Sequence, residues 1–350
     1  MSGTDLLLAL VDGTGAGQRE FQGFLRSAST RTADRAVVVG VLTALSRTLP
    51  DPATAVALAA ALREAPGPDG DAGAGGPVPA VGVVGTGGGP RTVNLSTAAA
   101  LLAASVGVPV VKSGSRAHRS GSGALDALGR LGVPSSRSAA DLRDRVRTRG
   151  FAVAGQHAYP PALTALARIA APVPVRTFSA LLNVLGPFLV DVPLAAQLTG
   201  FSDPAHRPHL LALRELVGHP VWLCSNADGV DELLSTCDNE LVHPDGRVEV
   251  IARGQVADGR GRTADLRPPQ DGRDGADLVR DLLAGNLAPA ATATVCLNAA
   301  ALAVLAGTCT TWRQGYDLAR DGVRDGTALR LLDELTDAPE KAGGAVGARA

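Results

Sequence analysis

Three short stretches carry residues able to do chemistry on a phosphorylated substrate. The first is Gly85–Thr97, GTGGGPRTVNLST. Its glycines Gly85, Gly87 and Gly88, with Thr86 between them, free consecutive backbone amides to converge on an anion, and Asn94, Ser96 and Thr97 follow where a helix start adds partial positive charge. The hydroxyls there can bind phosphate or Mg2+, or simply cap the helix; a tight strand-to-helix turn explains the stretch equally well. The second, KSGSRAHRSGSG, spans 112–123 and offers Lys112, Ser113, Ser115, Arg116, His118, Ser120 and Ser122. Cations and hydroxyls on a second glycine-rich loop suit a polyphosphate. The third is DGVDE, 228–232. Adjacent carboxylates need a cation, and Mg2+ accepts one or two carboxylates plus phosphate oxygens. Taken alone, acidic residues at a helix N-terminus explain this segment better.

The elements that must position these stretches follow from apolar periodicity. Residues 1–64 read as helices, with 33–49 and 52–63 the clearest and Asp51-Pro52 a helix start. The Gly/Pro/Asp-rich run 65–79 reads as a connector. From residue 80 strands and helices alternate. Strands are expected at 81–84, 108–111, 151–154, 221–225 and 247–252. Helices are expected at 96–106, 124–131, 161–171, 278–283, 291–306 and 312–335, and a frayed tail at 338–350. Strands separated by helices imply an α/β fold with a mostly parallel, helix-covered sheet, so that loops after neighbouring strands share one edge. The expected organisation is a small helical domain (1–64, joined by part of 160–190) and a larger α/β domain (80–337).

Composition narrows the function classes. The chain has 350 residues, 45% hydrophobic, with net charge −1, so nothing draws it generally to nucleic acid or an anionic membrane. Lys112 and Lys341 are the only lysines, which makes Lys112 a flag. The four cysteines, Cys224, Cys237, Cys296 and Cys309, have no CxxC spacing and read as reduced thiols. No run reaches the length of a membrane span, and a soluble cytoplasmic protein is expected.

In this order the segments resemble the anthranilate phosphoribosyltransferase family and, more distantly, the pyrimidine nucleoside phosphorylases. GTGG…TVNLSTA is similar to the family's glycine loop and Asn-x-Ser-Thr segment, and KSGSR to its Lys-His-Gly-Asn-Arg. SGSGALDALGRLGV, RTFSALLNVLGP, DGVDEL, LAGNLAP and CLNAAALAVLAG match further family segments. The resemblance implies a nucleoside phosphorylase/phosphoribosyltransferase-like fold, a homodimer built on the N-terminal helices, and the substrate 5-phosphoribosyl 1-diphosphate with a small acceptor. Gly85, Thr86, Gly87 and Gly88 would approach the diphosphate, Asn94, Ser96 and Thr97 would contact phosphate and one Mg2+, and Lys112 would contact phosphate. Asp231 and Glu232 would hold a second Mg2+.

The chain departs from the family in places. The loop is one residue shorter and lacks the family's Asp; Arg91 is new beside it, where a guanidinium can hold phosphate. Ser113 and Ser115 replace the His and Asn near the acceptor. Counting back from Arg176, Ala170 stands where the family carries the arginine that clamps anthranilate's carboxylate. His118 and His157 are candidate acceptor contacts with ordinary solvated readings beside them. A carboxylate without its arginine is poorly held, so the expected member is divergent, with an acceptor other than anthranilate and a place in secondary metabolism. Two other readings stand: a nucleoside phosphorylase, favoured by SGSGALD but lacking that group's loop lysine, and a non-enzymatic nucleic-acid- or protein-binding member, for which scattered arginines offer no continuous basic groove.

Overall fold

The computed structural model describes residues 2–30, 32–47, 49–65, 76–114 and 123–337. Four helices open the chain: α1 (Gly3–Val11), α2 (Gln18–Ser29), α3 (Arg35–Arg47) and α4 (Pro52–Glu64). Local chemistry sets their starts. Ser2 and Asp5 cap α1 reciprocally, and Asp51 accepts from the amides of Ala53 and Thr54 with Pro52 in the first turn of α4. In α2 the buried Phe21, Phe24, Leu25 and Ala28 recur at helical spacing and form one apolar stripe.

The α/β part follows as β1 (Val78–Gly85), α5 (Leu95–Ser105), β2 (Val110–Lys112), α6 (Ala124–Arg130), α7 (Ala139–Arg149), β3 (Phe151–Val153), α8 (Pro161–Ala170) and α9 (Ser179–Leu185). Next come β4 (Leu194–Gly200), α10 (Arg207–Leu213), β5 (Val221–Asn226), β6 (Asn239–Val242) and β7 (Val248–Ile251). Four helices close it: α11 (Gly275–Leu283), α12 (Pro289–Leu305), α13 (Trp312–Arg324) and α14 (Thr327–Thr336). The sheet order is β3-β2-β1-β4-β5-β6-β7. The pairs from β3 across to β5 are parallel, and β5–β6 and β6–β7 antiparallel. Parallel strands end at one edge, and the register sets Val83 beside Lys112, Gly85 beside Gly200, and Gly200 beside Cys224. That edge receives the first and third chemistry-bearing stretches and the described start of the second, residues 112–114.

Two large apolar clusters hold the molecule. One joins α5, α12 and the sheet, with α12 buried nearly all round its axis. The other joins α1–α4 to α8, α9 and α10 and reaches Val221, Leu223 and Val242 of the sheet. The helical layer thus draws on later sequence beyond the expected 160–190.

The structure corrects several expectations. β4 was not expected, because buried Gln197 and Thr199 interrupt its apolar run. β6 was not expected either. Val78 and Pro79 belong to β1 rather than the connector, whose residues 66–75 lie outside the described residues, as does the tail 338–350. The stretch 312–335 is two helices, parted at Gly326, whose φ of 66° is a left-handed turn. No helix begins at Asp231; the segment 227–236 is turns and bends. The helix-dipole explanation for its carboxylates therefore does not apply. No described helix is long and apolar enough to cross a membrane.

Candidate active site

The glycine loop leaves β1 and is tied to its neighbours before any ligand arrives. Thr86 donates its amide to Gly200 O at 2.8 Å. Gly87 and Gly88 take φ of 68° and 90°, and Gly87 N donates to Asp231 Oδ2 at 2.7 Å. Ser202 Oγ donates to Gly87 O at 2.7 Å. The Asn183 amide, oriented to satisfy its surroundings, donates to Thr86 O at 3.2 Å and Ser179 O at 3.0 Å. The approach of Asp231 is possible only because two residues lack side chains. A Cβ on Gly85 would sit 2.0 Å from Asp231 Oδ2, and one on Gly200 1.7 Å from Asp231 O.

Lys112 ends β2 with 2% of its surface exposed. Its Nζ donates to Val83 O at 3.2 Å and Ser113 O at 2.9 Å. Burial drags its pKa down to about 8, against the pull of the Glu232 and Asp231 carboxylates. The same burial pushes Glu232 up to about 8, reinforced by Asp231's charge and opposed by Lys112 and by hydrogen bonds from Ser96. Asp231 is also raised by burial, against the Gly87 amide and Lys112. One buried ammonium thus faces two carboxylates, and burial disfavours the charged form of all three in spite of the hydrogen bonds each one makes. Glu232 Oε2 and Thr97 Oγ1 are sealed from solvent with no hydrogen-bond partner. Two adjacent carboxylates, one oxygen unmatched, with the Ser96 hydroxyl on Glu232, fit a hard divalent cation that takes its remaining oxygens from phosphate and water. Among the described residues no three of His, Cys, Asp and Glu gather into a self-sufficient metal cage.

The structure brings Gly85, Thr86, Gly87, Ser96, Lys112, Asp231 and Glu232 into one centre. Asn94 stands at the start of α5 with its amide donating to Gly275 O at 3.4 Å. Thr97 and Ser113 are buried beside that centre in sequence. Gly88 is exposed, as is Arg91, which lines a separate cavity that Lys112, Asp231 and Glu232 do not reach. His157 and Arg176 are exposed on the short turns Gln156–Ala158 and Val175–Phe178 and stand outside the buried centre. Burial lowers the His157 pKa. Ser115, Arg116, His118, Ser120 and Ser122 lie outside the described residues.

Asn183, Ser202 and Tyr159 were not on the candidate list. Tyr159 OH donates to Gly114 O at 3.1 Å and accepts from Gly114 N at 3.4 Å, pinning the start of the second loop. Asn183 lies in the recognisable RTFSALLNVLGP, which flagged it; nothing local in the sequence singled out Ser202 or Tyr159.

Comparison with known proteins agrees with this geometry. A family described as "Glycosyl transferase family, a/b domain" matches residues 78–329. Anthranilate phosphoribosyltransferase from Methylocella silvestris is 34% identical over 268 residues, 75% of each chain. The enzyme of that name from Methylobacterium radiotolerans is 36% identical over 267 residues, 74% of this chain and 75% of its own. Among solved structures, anthranilate phosphoribosyltransferase from Thermus thermophilus superposes with a TM-score of 0.75 at 28% identity, covering 95% of this chain and 98% of its own. The Saccharomyces cerevisiae enzyme in complex with PRPP and Mg has the same fold, with a TM-score of 0.72 at 22% identity over 96% and 93% of the two chains. A strand-end glycine loop, a buried lysine and an acidic pair on this sheet, together with these relatives, make the chain a member of the glycosyl transferase family, a glycosyltransferase of the anthranilate phosphoribosyltransferase type.

Proposed function

We propose that the protein is a Mg2+-dependent phosphoribosyltransferase that moves the 5-phosphoribosyl group from its 1-diphosphate to a nitrogen of a small aromatic acceptor, releasing diphosphate. The observation that carries this is the buried meeting of Lys112, Asp231 and Glu232 against the glycine loop, with Glu232 Oε2 and Thr97 Oγ1 left without partners. Asp231, Glu232 and Ser96 would hold Mg2+, which when bound neutralises diphosphate charge and favours its departure. The Saccharomyces cerevisiae enzyme of the same fold binds PRPP and Mg, which supports the same pair of ligands here.

This chain's own residues supply binding and orientation. The amides of the loop around Gly87 cradle the diphosphate, and Asp231 holds Gly87 in its left-handed turn. Lys112, already held by two carbonyls, sets a fixed positive charge beside the leaving group without reorganising. The C1–O bond to diphosphate breaks as the acceptor nitrogen bonds to C1 from the opposite face, and the nitrogen's proton passes to solvent. A weakly basic aromatic amine needs no dedicated base. The gain lies in positioning.

The proposed acceptor is one other than anthranilate. Ala170, where the family's carboxylate-clamping arginine would stand, is 1% exposed and packed in the helical core, and the neighbouring cation, Arg168, is exposed. The test is donor, Mg2+ and a panel of aromatic amines with and without carboxylates. Diphosphate release with a neutral amine and feeble turnover of anthranilate are expected. Anthranilate turnover at a biosynthetic rate overturns the acceptor assignment, and no donor consumption with any acceptor overturns the transferase reading. The protein is proposed to act as a homodimer.

A further inference from the structure

A cavity of about 470 Å³ opens beside the glycine loop, between Arg91 and the turn Thr263–Leu266, and its lining includes none of Ser96, Lys112, Asp231 and Glu232. Four guanidinium groups line it: Arg91, Arg253, Arg262 and Arg267. Their charges are poorly matched. Arg253 donates Nε to Gly259 O at 2.6 Å and Nη2 to Gly261 O at 3.1 Å, so carbonyls hold it in place and leave its charge uncancelled. Arg91 and Arg267 have no carboxylate partner among the described residues. Arg262 alone pairs, with Asp265 at 3.7 Å. The one carboxylate in the lining, Asp228, is occupied by the Thr263 hydroxyl and the Cys237 thiol. The cavity therefore carries a standing excess of positive charge.

A neighbouring cavity of about 310 Å³ shares Arg91 and shows the contrast. Its own arginines are neutralised: Arg130 pairs with Asp274 at 3.1 Å, and Arg273 with Asp271 and Asp281 at 2.5 Å each. Arg91, shared by both, apart, only the larger cavity keeps guanidinium groups without a carboxylate, Arg253 and Arg267, and guanidinium forks match phosphate oxygens two at a time.

We propose that the larger cavity is a second anion site, distinct from the donor cleft, which takes a multiply charged phosphate compound without a metal. The site adjoins the loop physically: Gly89 can sit against Gly229 O only because it has no side chain, a Cβ there lying 2.1 Å from that oxygen, and Asp228 is the next residue. An occupant therefore bears on the segment that holds both Asp231 and the glycine loop.

The experiment is calorimetric titration of the full chain with inorganic tripolyphosphate in EDTA, with inorganic phosphate as second probe. One metal-independent site is expected, with tripolyphosphate bound more tightly than phosphate. The double variant Arg91→Gln/Arg267→Gln should weaken it by about tenfold or more, the loss of two charge-assisted contacts at an open site. Lys112→Met should leave it intact, and the melting temperature of the arginine variant should stay at the wild-type value. No metal-free binding, equal affinity for the two probes, binding indifferent to the arginine variant, or loss on Lys112→Met each overturns the proposal. None of these readouts involves transferase activity, so the site stands or falls apart from the proposed reaction.

Discussion

At the scale of single residues, the site is built by what two glycines omit. Gly200 has no positive φ, so conformational freedom does not explain it; space does. Asp231 O occupies the volume a Cβ would need, at 1.7 Å. Gly200→Ala must push the 228–232 segment away from β4, separating Asp231 from Gly87 N. The expected result is a loss of about 1–3 kcal/mol in stability, the usual range for overpacking, and a fall in donor turnover of at least about a hundredfold, as when a preorganised donor is lost. Urea unfolding and a diphosphate-release assay read the two; a fully active variant would mean the segment has room to move. Lys112→Met tests the opposite wall. With the ammonium gone, the Glu232 and Asp231 carboxylates lose the opposite charge that opposes their burial-raised pKa values. Turnover should drop by about a hundredfold or more, while a Lys112→Arg variant, too large for a pocket 2% exposed, should not restore it. Full rescue by arginine would show that charge alone suffices. Much of this was legible. The glycines and Lys112 stand out by type and spacing and the acidic pair through the family resemblance, whereas Gly200, Ser202 and Tyr159 act through tertiary contacts with residues far along the chain. No local pattern encodes such contacts.

Helices were legible where a long apolar or amphipathic run was bounded by turn residues. α3, α4, α5, α8 and α12 differ from expectation by a residue or two at their ends. β4 escaped because a central strand here carries Gln197, whose amide donates to Pro187 O at 3.1 Å and Thr199 Oγ1 at 2.9 Å. Its polarity is satisfied by the fold, so the strand needs no apolar alternation. The same glutamine makes a testable junction. Gln197 Oε1 lies 3.4 Å from His219 Nε2, just before β5, and Arg63 of α4 is close enough to add repulsion. Arg63 itself bridges the helical layer to the sheet region by donating to Phe188 O at 3.0 Å. Burial, then the Arg63 charge, pulls the His219 pKa down to about 4. In the unfolded chain the imidazole takes up its proton near the ordinary value of about 6.5. Between these values the unfolded state binds the extra proton, so stability is lost as pH falls from about 6.5 toward 4 and is fully present above that window. His219→Gln removes this source of acid sensitivity. Denaturation midpoints at pH 7, 5.5 and 4.5 should converge between wild type and variant, or cross, as pH falls. Parallel curves would mean that His219 is protonated in the native state as easily as in the unfolded one.

For the whole molecule, the question is what covers α1. Large exposed hydrophobic side chains are few among the described residues: Leu8, Val11, Val248 and Val250. The first two lie on α1, 55% and 67% exposed, while Leu6 of the same helix is fully buried. The helix therefore has an apolar face too broad for its own domain. α1 packs on α3, which also touches α9, so a second subunit seated there would press on the helices that flank the loops of the site. A dimer through this face would cover the leucine and valine that α1 leaves in water's reach. The full chain should sediment at twice its 35.3 kDa mass. Leu8→Glu/Val11→Glu, which alters only exposed positions and so leaves the monomer's core intact, should sediment as a monomer with an unchanged far-ultraviolet spectrum. A variant that stays dimeric would move the interface to another surface, and a wild-type monomer would leave α1 without a partner of its own kind.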